Sequence, residues 1–196
     1  MSAIEMISQL VLGERQARGR GLNDVLANCY WEDGTVTTSW SSGNARATFV
    51  GQRPVDYATK LPLVGRYAAP TVHVHGNHGY AELPATTKHW VQLGENIAIV
   101  ESFMMLVYRV EKRSGEWKIS DMTAINEADT IAPEIPGTDL HIDVALAKSL
   151  RVSYRFLAYV RIQAGGQIDQ DGIGTDRPET VQPVYARATA WLKDGE

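Results

Sequence analysis

The run Asn96-Ile-Ala-Ile-Val-Glu-Ser-Phe-Met-Met-Leu-Val-Tyr-Arg-Val-Glu-Lys112 decides the fold. Read two residues at a time, one face carries Ile97, Ile99, Glu101, Phe103, Met105 and Val107. The other carries Ala98, Val100, Ser102, Met104, Leu106 and Tyr108. Strand side chains alternate between faces, so this is a strand apolar on both sides, with one carboxylate among its apolar neighbours. A buried carboxylate is costly unless it is paired or holds a proton, and chains tolerate that cost where an acid or base is needed. The alternative is a structural Glu101 that pairs with an arginine or reaches solvent.

Outward from this strand the pattern stays β. Thr71 to His75 is a strand, Gly76 to Gly79 a hairpin turn, and Tyr80 to Leu93 a second strand bent at Pro84. Gly94-Glu95-Asn96 turns into the Glu101 strand, and Ser114-Gly115 turns into Trp117 to Asn126. Residues 71 to 126 are therefore expected to form one four-stranded antiparallel meander around a pocket. Upstream, Ile4 to Arg18 and Leu22 to Tyr30 have helical spacing, with Gly19 and Gly21 between them. Trp31 to Gly34 is a turn, Thr35 to Trp40 a strand, Ala45 to Val50 its return, and Arg53 to Leu63 a third helix. Downstream, Asp129 to Asp139 is a linker. Asp143 to Gln163 is a helix, and a last helix opens at Asp176-Arg177-Pro178-Glu179 with a capping box. The division expected is a domain over residues 1–128 and a helical extension over 129–196.

A three-residue turn after Leu93 pairs Leu93 with Ile97 and sets His89 opposite Glu101. An imidazole beside a carboxylate is a workable acid–base pair. The register is sensitive: a one-residue slip separates them. His73, His75 and His78 form H-x-H-x-x-H, which suits a metal in principle. A strand with one polar face accounts for them equally well, so no metal is assigned. Tyr30, Trp31, Trp40, Tyr67 and Trp90 can stack on a flat substrate or serve as core. Asp121 has a cross-strand arginine, Arg109, within its expected reach. No phosphate loop, nucleophile elbow or catalytic cysteine pattern is present.

Composition narrows the class. The chain has 196 residues, is 44% hydrophobic and 21% charged, and carries a net charge of −4. That is ordinary for a globular domain and gives no electrostatic reason for nucleic-acid binding. Cys29 is the single cysteine, which precludes an internal disulfide and fits the cytoplasm. No apolar run reaches membrane length, and the amphipathic N-terminus lacks the basic start of a signal peptide.

Two or three N-terminal helices, then C-Y-W-E-D-G-T-V, then a helix and a meander ending R-S-G-E-W-K-I-S, resemble the SnoaL-like branch of the nuclear transport factor 2-like superfamily. The resemblance covers roughly residues 4 to 127. It implies an α+β cone: a curved antiparallel sheet wrapped round a pocket. The superfamily includes scytalone dehydratase, bile-acid dehydratase, hexachlorocyclohexane dehydrochlorinase, ketosteroid isomerase and polyketide cyclases, and some relatives cleave lignin-derived aryl diols. The implied chemistry is proton transfer in a dry pocket without a cofactor. Several dehydratases use a His–Asp dyad. The matching Asp position reads Arg18-Gly19-Arg20 here, and the matching His falls at Arg66-Tyr67, or His73 if the alignment slides.

The expectation is a cofactor-independent lyase that dehydrates, or cleaves by a retro-aldol step, a bulky aromatic or polycyclic hydroxylated molecule. Glu101 and His89 are its acid–base pair. Tyr30 completes the catalytic set, with Arg18 or Arg20 polarising oxygen. Trp40, Tyr67, His73 and Trp90 join the two arginines in substrate binding. A homodimer or higher oligomer is expected, because a strand apolar on both faces needs cover on both. The alternative is a non-catalytic binding or assembly module of the same fold.

Overall fold

The computed structural model describes residues 1–51 and 61–195. Helix α1 (Ala3–Arg20) begins at a capping box in which Ser2 accepts from the Glu5 amide while Glu5 accepts from the Ser2 amide. It stops at Gly21, whose φ of 67° is the left-handed cap a glycine adopts without penalty. A short α2 (Asn23–Asn28) leads into β1 (Tyr30–Thr37), β2 (Ser42–Asn44) and a one-turn α3 (Ala45–Thr48).

The expected turn at Trp31–Gly34 is instead an irregularity within β1, between Tyr30 and Thr35. Gly34 permits it, since a Cβ there would lie 2.9 Å from the Trp31 carbonyl. Arg113 pins the bulge with two hydrogen bonds to Asp33, at 2.9 and 3.0 Å. The returning strand expected from Ala45 is helical, because the Asn44 side chain caps the Arg46 and Ala47 amides. The helix expected over Arg53–Leu63 falls mostly outside the described residues, and Leu63 opens a strand that alternation did not reveal.

The remaining strands are β3 (Leu63–Tyr67), β4 (Thr71–His75), β5 (His78–Leu93), β6 (Asn96–Arg113) and β7 (Glu116–Pro133). β4 to β7 form the expected antiparallel meander. β1 joins β7 in parallel, giving the order β2-β1-β7-β6-β5-β3 with β4 also on β5. The result is an α+β fold with a curved, open sheet. Each hairpin of the meander turns in two residues: His75 pairs with His78, Leu93 with Asn96 and Arg113 with Glu116. In the last turn Ser114 and Gly115 both have positive φ, as a turn matched to strand twist requires. β7 continues to Pro133 through what reads as a linker, because the long β6 supplies partners as far as Ala98.

The even-numbered side chains of β6 face the concave side. With Ile7 and Val11 of α1, Leu83, Leu106, Tyr108 and Met122 are central to the main core. The single helix expected over 143–163 is α4 (Val144–Ser149), a 3-10 turn (Val152–Tyr154) and α5 (Arg155–Gln163), broken where Leu150 becomes extended. These pack on the concave side at the β5–β6 hairpin, around Ala98, Leu150, Tyr154 and Leu157. Helix α6 (Pro178–Lys193) covers part of the convex side, with Val184 and Ala188 against Val107 and Ile125. Asp176 does not cap α6. It pairs with Arg151, which also donates to the Gln170 and Gly172 carbonyls. Among the described residues, no helix is long and apolar enough to cross a membrane.

Candidate functional site

A cavity of about 580 Å³ opens between the concave face, the end of α1 and helix α5. Alternation along β5 aims Thr87, His89 and Val91 into it, and β6 and β7 add Met104, Leu106, Met122 and Asn126. α5 contributes Leu157, Val160 and Arg161 as one wall. The lining is largely apolar, with a few polar groups converging on it, the usual composition of a small-molecule site. The Thr87 hydroxyl is buried and has no hydrogen-bond partner among the described residues. Asn126 donates to Ser39 Oγ at 2.7 Å and to the Ile173 carbonyl at 2.9 Å, which fixes its amide. Tyr67 lies over Gly65, where any Cβ would collide with its ring.

At the α1 end lies a polar cluster set in the core. Glu14 is fully buried and forms an ion pair with Arg15. It also accepts from the Tyr30 and Tyr108 hydroxyls, each at 3.0 Å. Burial, reinforced by the Glu14 charge, pushes both phenols well above their ordinary range, so they act as donors. Arg15, 7% exposed, reaches the cavity wall. Its guanidinium carbon is 5.5 Å from the Phe49 ring centre. Arg18, one turn on, lies 3.4 Å from the same ring and donates to the Phe49 carbonyl.

Four of the expected site residues line this cavity: Arg18, Trp40, Tyr67 and His89. The others do not. The two-residue turn after Leu93 places Lys88, not His89, opposite Glu101. His89 faces Val100. Glu101 is therefore on the convex side, its side chain 29% exposed and its Oε1 3.3 Å from Lys88 Nζ. The expected His89–Glu101 pair does not form, for the reason that a one-residue change of turn length exchanges the faces. Trp90, opposite Ile99, shares the convex side. His73 stacks on Tyr80 and lies 3.7 Å from Glu82, away from the cavity. Arg20 is exposed at the end of α1, and Tyr30 is core beneath the cavity. Asp121 does approach Arg109, at 3.6 Å. His78 stacks on Trp191, and among the described residues no three His, Cys, Asp or Glu groups converge as a metal site would need.

Arg15, Thr87 and Arg161 were not expected at the site. For Arg15 the signal was present: Ile7, Val11, Arg15 and Arg18 follow the four-, four- and three-residue spacing of one helix face. For Thr87 and Arg161 the signal needed the register of β5 and the position of α5.

The chain is similar in structure to LinA, with a TM-score of 0.52 over 70% of this chain and 92% of that one, at 13% identity. The fold is nuclear transport factor 2-like. The chain is also similar in structure to hexachlorocyclohexane dehydrochlorinase LinA-type3 from Novosphingobium barchaimii LL02. Its TM-score is 0.50 over 70% of this chain and 93% of that one, at 14% identity. No protein-family model matches the sequence, and no curated protein does.

Proposed function

We propose that the protein is a cofactor-independent lyase acting by acid–base chemistry on a bulky, hydroxylated aromatic or polycyclic molecule. The observation that carries this reading is the placement of His89 in a largely apolar cavity, on the same face as Thr87 and with Arg18 in the lining. A neutral imidazole there can take a proton from carbon and, as imidazolium, pass it to the departing hydroxyl, which leaves as water, so that the C–H and C–O bonds are replaced by C=C and a new O–H bond. In the retro-aldol variant it takes the hydroxyl proton, the C–C bond breaks to give a carbonyl and an enolate-type carbanion, and the imidazolium returns the proton to that carbon. Fixed donors in a water-poor site stabilise the oxygen that gains charge. Glu101 has no part in this scheme. The likeness to LinA supports the fold that such chemistry would use. The protein works as a homodimer or higher oligomer, and a cytoplasmic location fits its single cysteine.

A second reading, a non-catalytic binding or assembly module, is favoured by one feature. Among the described residues no carboxylate lines the cavity. The test is turnover of a panel of aryl diols and benzylic β-hydroxy ketones, followed by the ultraviolet absorbance of the alkene or aldehyde formed. Turnover that His89→Ala lowers by about a hundredfold supports the lyase. Binding without turnover, abolished by Val160→Trp in the α5 wall, supports the module.

A further inference from the structure

We propose that Thr87, Ser102 and Asp129 form a buried site for neutral hydroxyl oxygens in the sheet wall of the cavity, where a phenol or alcohol group of the ligand bonds to Thr87 and Ser102. This rests on the reading of the cavity as a small-molecule site and names the subsite that holds the ligand's hydroxyl.

Strand register places the three side chains in one row. Thr87 of β5 pairs with Ser102 of β6, and Ser102 pairs with Asp129 of β7. Directly paired residues point to the same face, with Cβ atoms about 4.5–5.5 Å apart. Asp129 reaches that face only through a shift in register. Phe103 pairs with Ala128 but Met104 with Asn126, which leaves Glu127 as an extra residue. One inserted residue exchanges the faces beyond it, the means by which a bulge re-aims a side chain. Asp129 thereby turns to the concave side, where its Oδ2 accepts from the Leu157 amide of α5 at 2.8 Å.

The row is polar, buried and unsatisfied. Five buried side-chain polar atoms lack a hydrogen-bond partner among the described residues, and three of them are Thr87 Oγ1, Ser102 Oγ and Asp129 Oδ1. A fourth, Arg155 Nε, is on the residue that opens α5. Ser102 is only 3% exposed. Burying such atoms unpaired is costly, and native chains satisfy nearly all of them. Three in a line mark a place for shared partners rather than three separate defects. Hydrogen-bonded oxygens lie about 2.8 Å apart, so one oxygen set between two neighbouring side chains of the row spans the gap.

The chemistry of the row selects a hydroxyl. Thr87 and Ser102 can each donate and accept, and a hydroxyl or water oxygen does both in return. A carboxylate or phosphate would set its acceptors against those of Asp129. Burial raises the Asp129 carboxyl toward its neutral form, which weakens the pull on an ammonium group. The two gaps differ in access. Thr87 lines the cavity, as do Met104, next along the Ser102 face, and Leu157, whose amide holds Asp129. The gap between Thr87 and Ser102 opens to the cavity and takes the ligand's hydroxyl. The gap between Ser102 and Asp129 lies behind Leu157 and holds water.

The experiment has two arms, both on the full chain. Urea unfolding without ligand compares Ser102→Ala with the unaltered chain. A hydroxyl that bridges its neighbours through water leaves them unpaired when removed, so the midpoint should fall. A dry, unpartnered hydroxyl is better lost, and a midpoint that holds or rises overturns the inference. Calorimetric titration then compares 2-naphthol with 2-fluoronaphthalene, of nearly equal shape. The naphthol is expected to bind roughly tenfold tighter. Thr87→Val should remove most of that preference with little change for the fluoro compound, and Thr87→Ser should keep it. Circular dichroism establishes that the variants are folded. A preference that survives Thr87→Val unchanged overturns the inference, as does tighter binding of 2-naphthylmethylamine than of 2-naphthalenemethanol. If the two first probes bind equally, and Val160→Trp abolishes that binding, only this inference falls and the cavity reading stands. If neither shows binding that Val160→Trp removes, both fall.

Discussion

Tyr108 donates a hydrogen bond to Glu14 across 3.0 Å, and neither side chain is exposed to solvent. With Tyr30 and Arg15, this makes a satisfied polar unit inside an apolar core. Removing one partner leaves a buried charge uncompensated, which costs far more than the net worth of the pair. Glu14→Ala is expected to destabilise by about 3–5 kcal/mol. Tyr108→Phe should cost about 1–3 kcal/mol, because Tyr30 and Arg15 still satisfy the carboxylate. Urea unfolding measures both, and a Glu14→Ala loss under about 1 kcal/mol would show that the unit is not stabilising.

The second prediction separates the two faces of the sheet. Glu101→Gln changes a half-exposed pair with Lys88 on the convex side. Its stability should move by less than about 1 kcal/mol, and turnover or ligand affinity by less than about twofold. His89→Gln, on the cavity side, should lower turnover by about a hundredfold while leaving the unfolding midpoint close to that of the unaltered chain. A large loss of activity in Glu101→Gln would return the chemistry to the convex face.

The contrast between these residues shows what was legible. Alternation in β6 revealed a strand, its two faces and their apolar character, and the Gly-containing turns revealed the meander. Which face is concave was not legible, since both are apolar and only packed helices distinguish them. Period two carries no sign. The His89–Glu101 pairing failed on the length of one turn: Gly94 with φ of 61° allows Gly94-Glu95 to close the hairpin without Asn96. α1 and α6 were readable from spacing. The break at Leu150 was not, because it follows from Arg151 bonding to the Gln170–Asp176 loop, a contact distant in sequence.

Two carboxylates should respond to pH with opposite sign. The Arg151 hydrogen bonds hold Asp176 well below the usual carboxylate range. Its stabilisation is thus complete above the unfolded value of about 4 and is lost as pH falls through the lower folded value. Burial raises the Asp129 carboxyl more than the Leu157 amide, which donates to it at 2.8 Å, lowers it. The folded state then binds the proton more tightly, so that share is present below about pH 4 and is lost as pH rises through the folded value. Asp176→Asn should lower stability at neutral pH and flatten the acid side of the stability profile. Asp129→Asn keeps an acceptor for Leu157 and should match or exceed the unaltered chain at pH 7. Urea midpoints measured from about pH 3 to about pH 7 check both, and a neutral-pH loss in Asp129→Asn would contradict the assigned cause.

The last prediction concerns the part of the sheet that α6 leaves uncovered. Trp90, Ile97, Ile99 and Phe103 lie on the convex side toward the β5–β6 hairpin. All four are only half-buried, and none is in the cluster that α6 makes with Val107 and Ile125. Lys88 and Glu101 stand among them with one charge of each sign. Under a two-fold axis such a strip is self-complementary: each Lys88 can meet the Glu101 of the second copy while the apolar side chains pack between. A stable contact needs roughly 600–800 Å² per partner, which extends beyond these six residues to the adjoining edge of β7. Light scattering at micromolar concentration is expected to give twice the chain mass or more. Phe103→Glu places like charges in the centre of the strip and should shift the mass to that of a monomer, with the cavity's ligand affinity changed little. A monomer mass for the unaltered chain would mean that the strip is simply exposed surface.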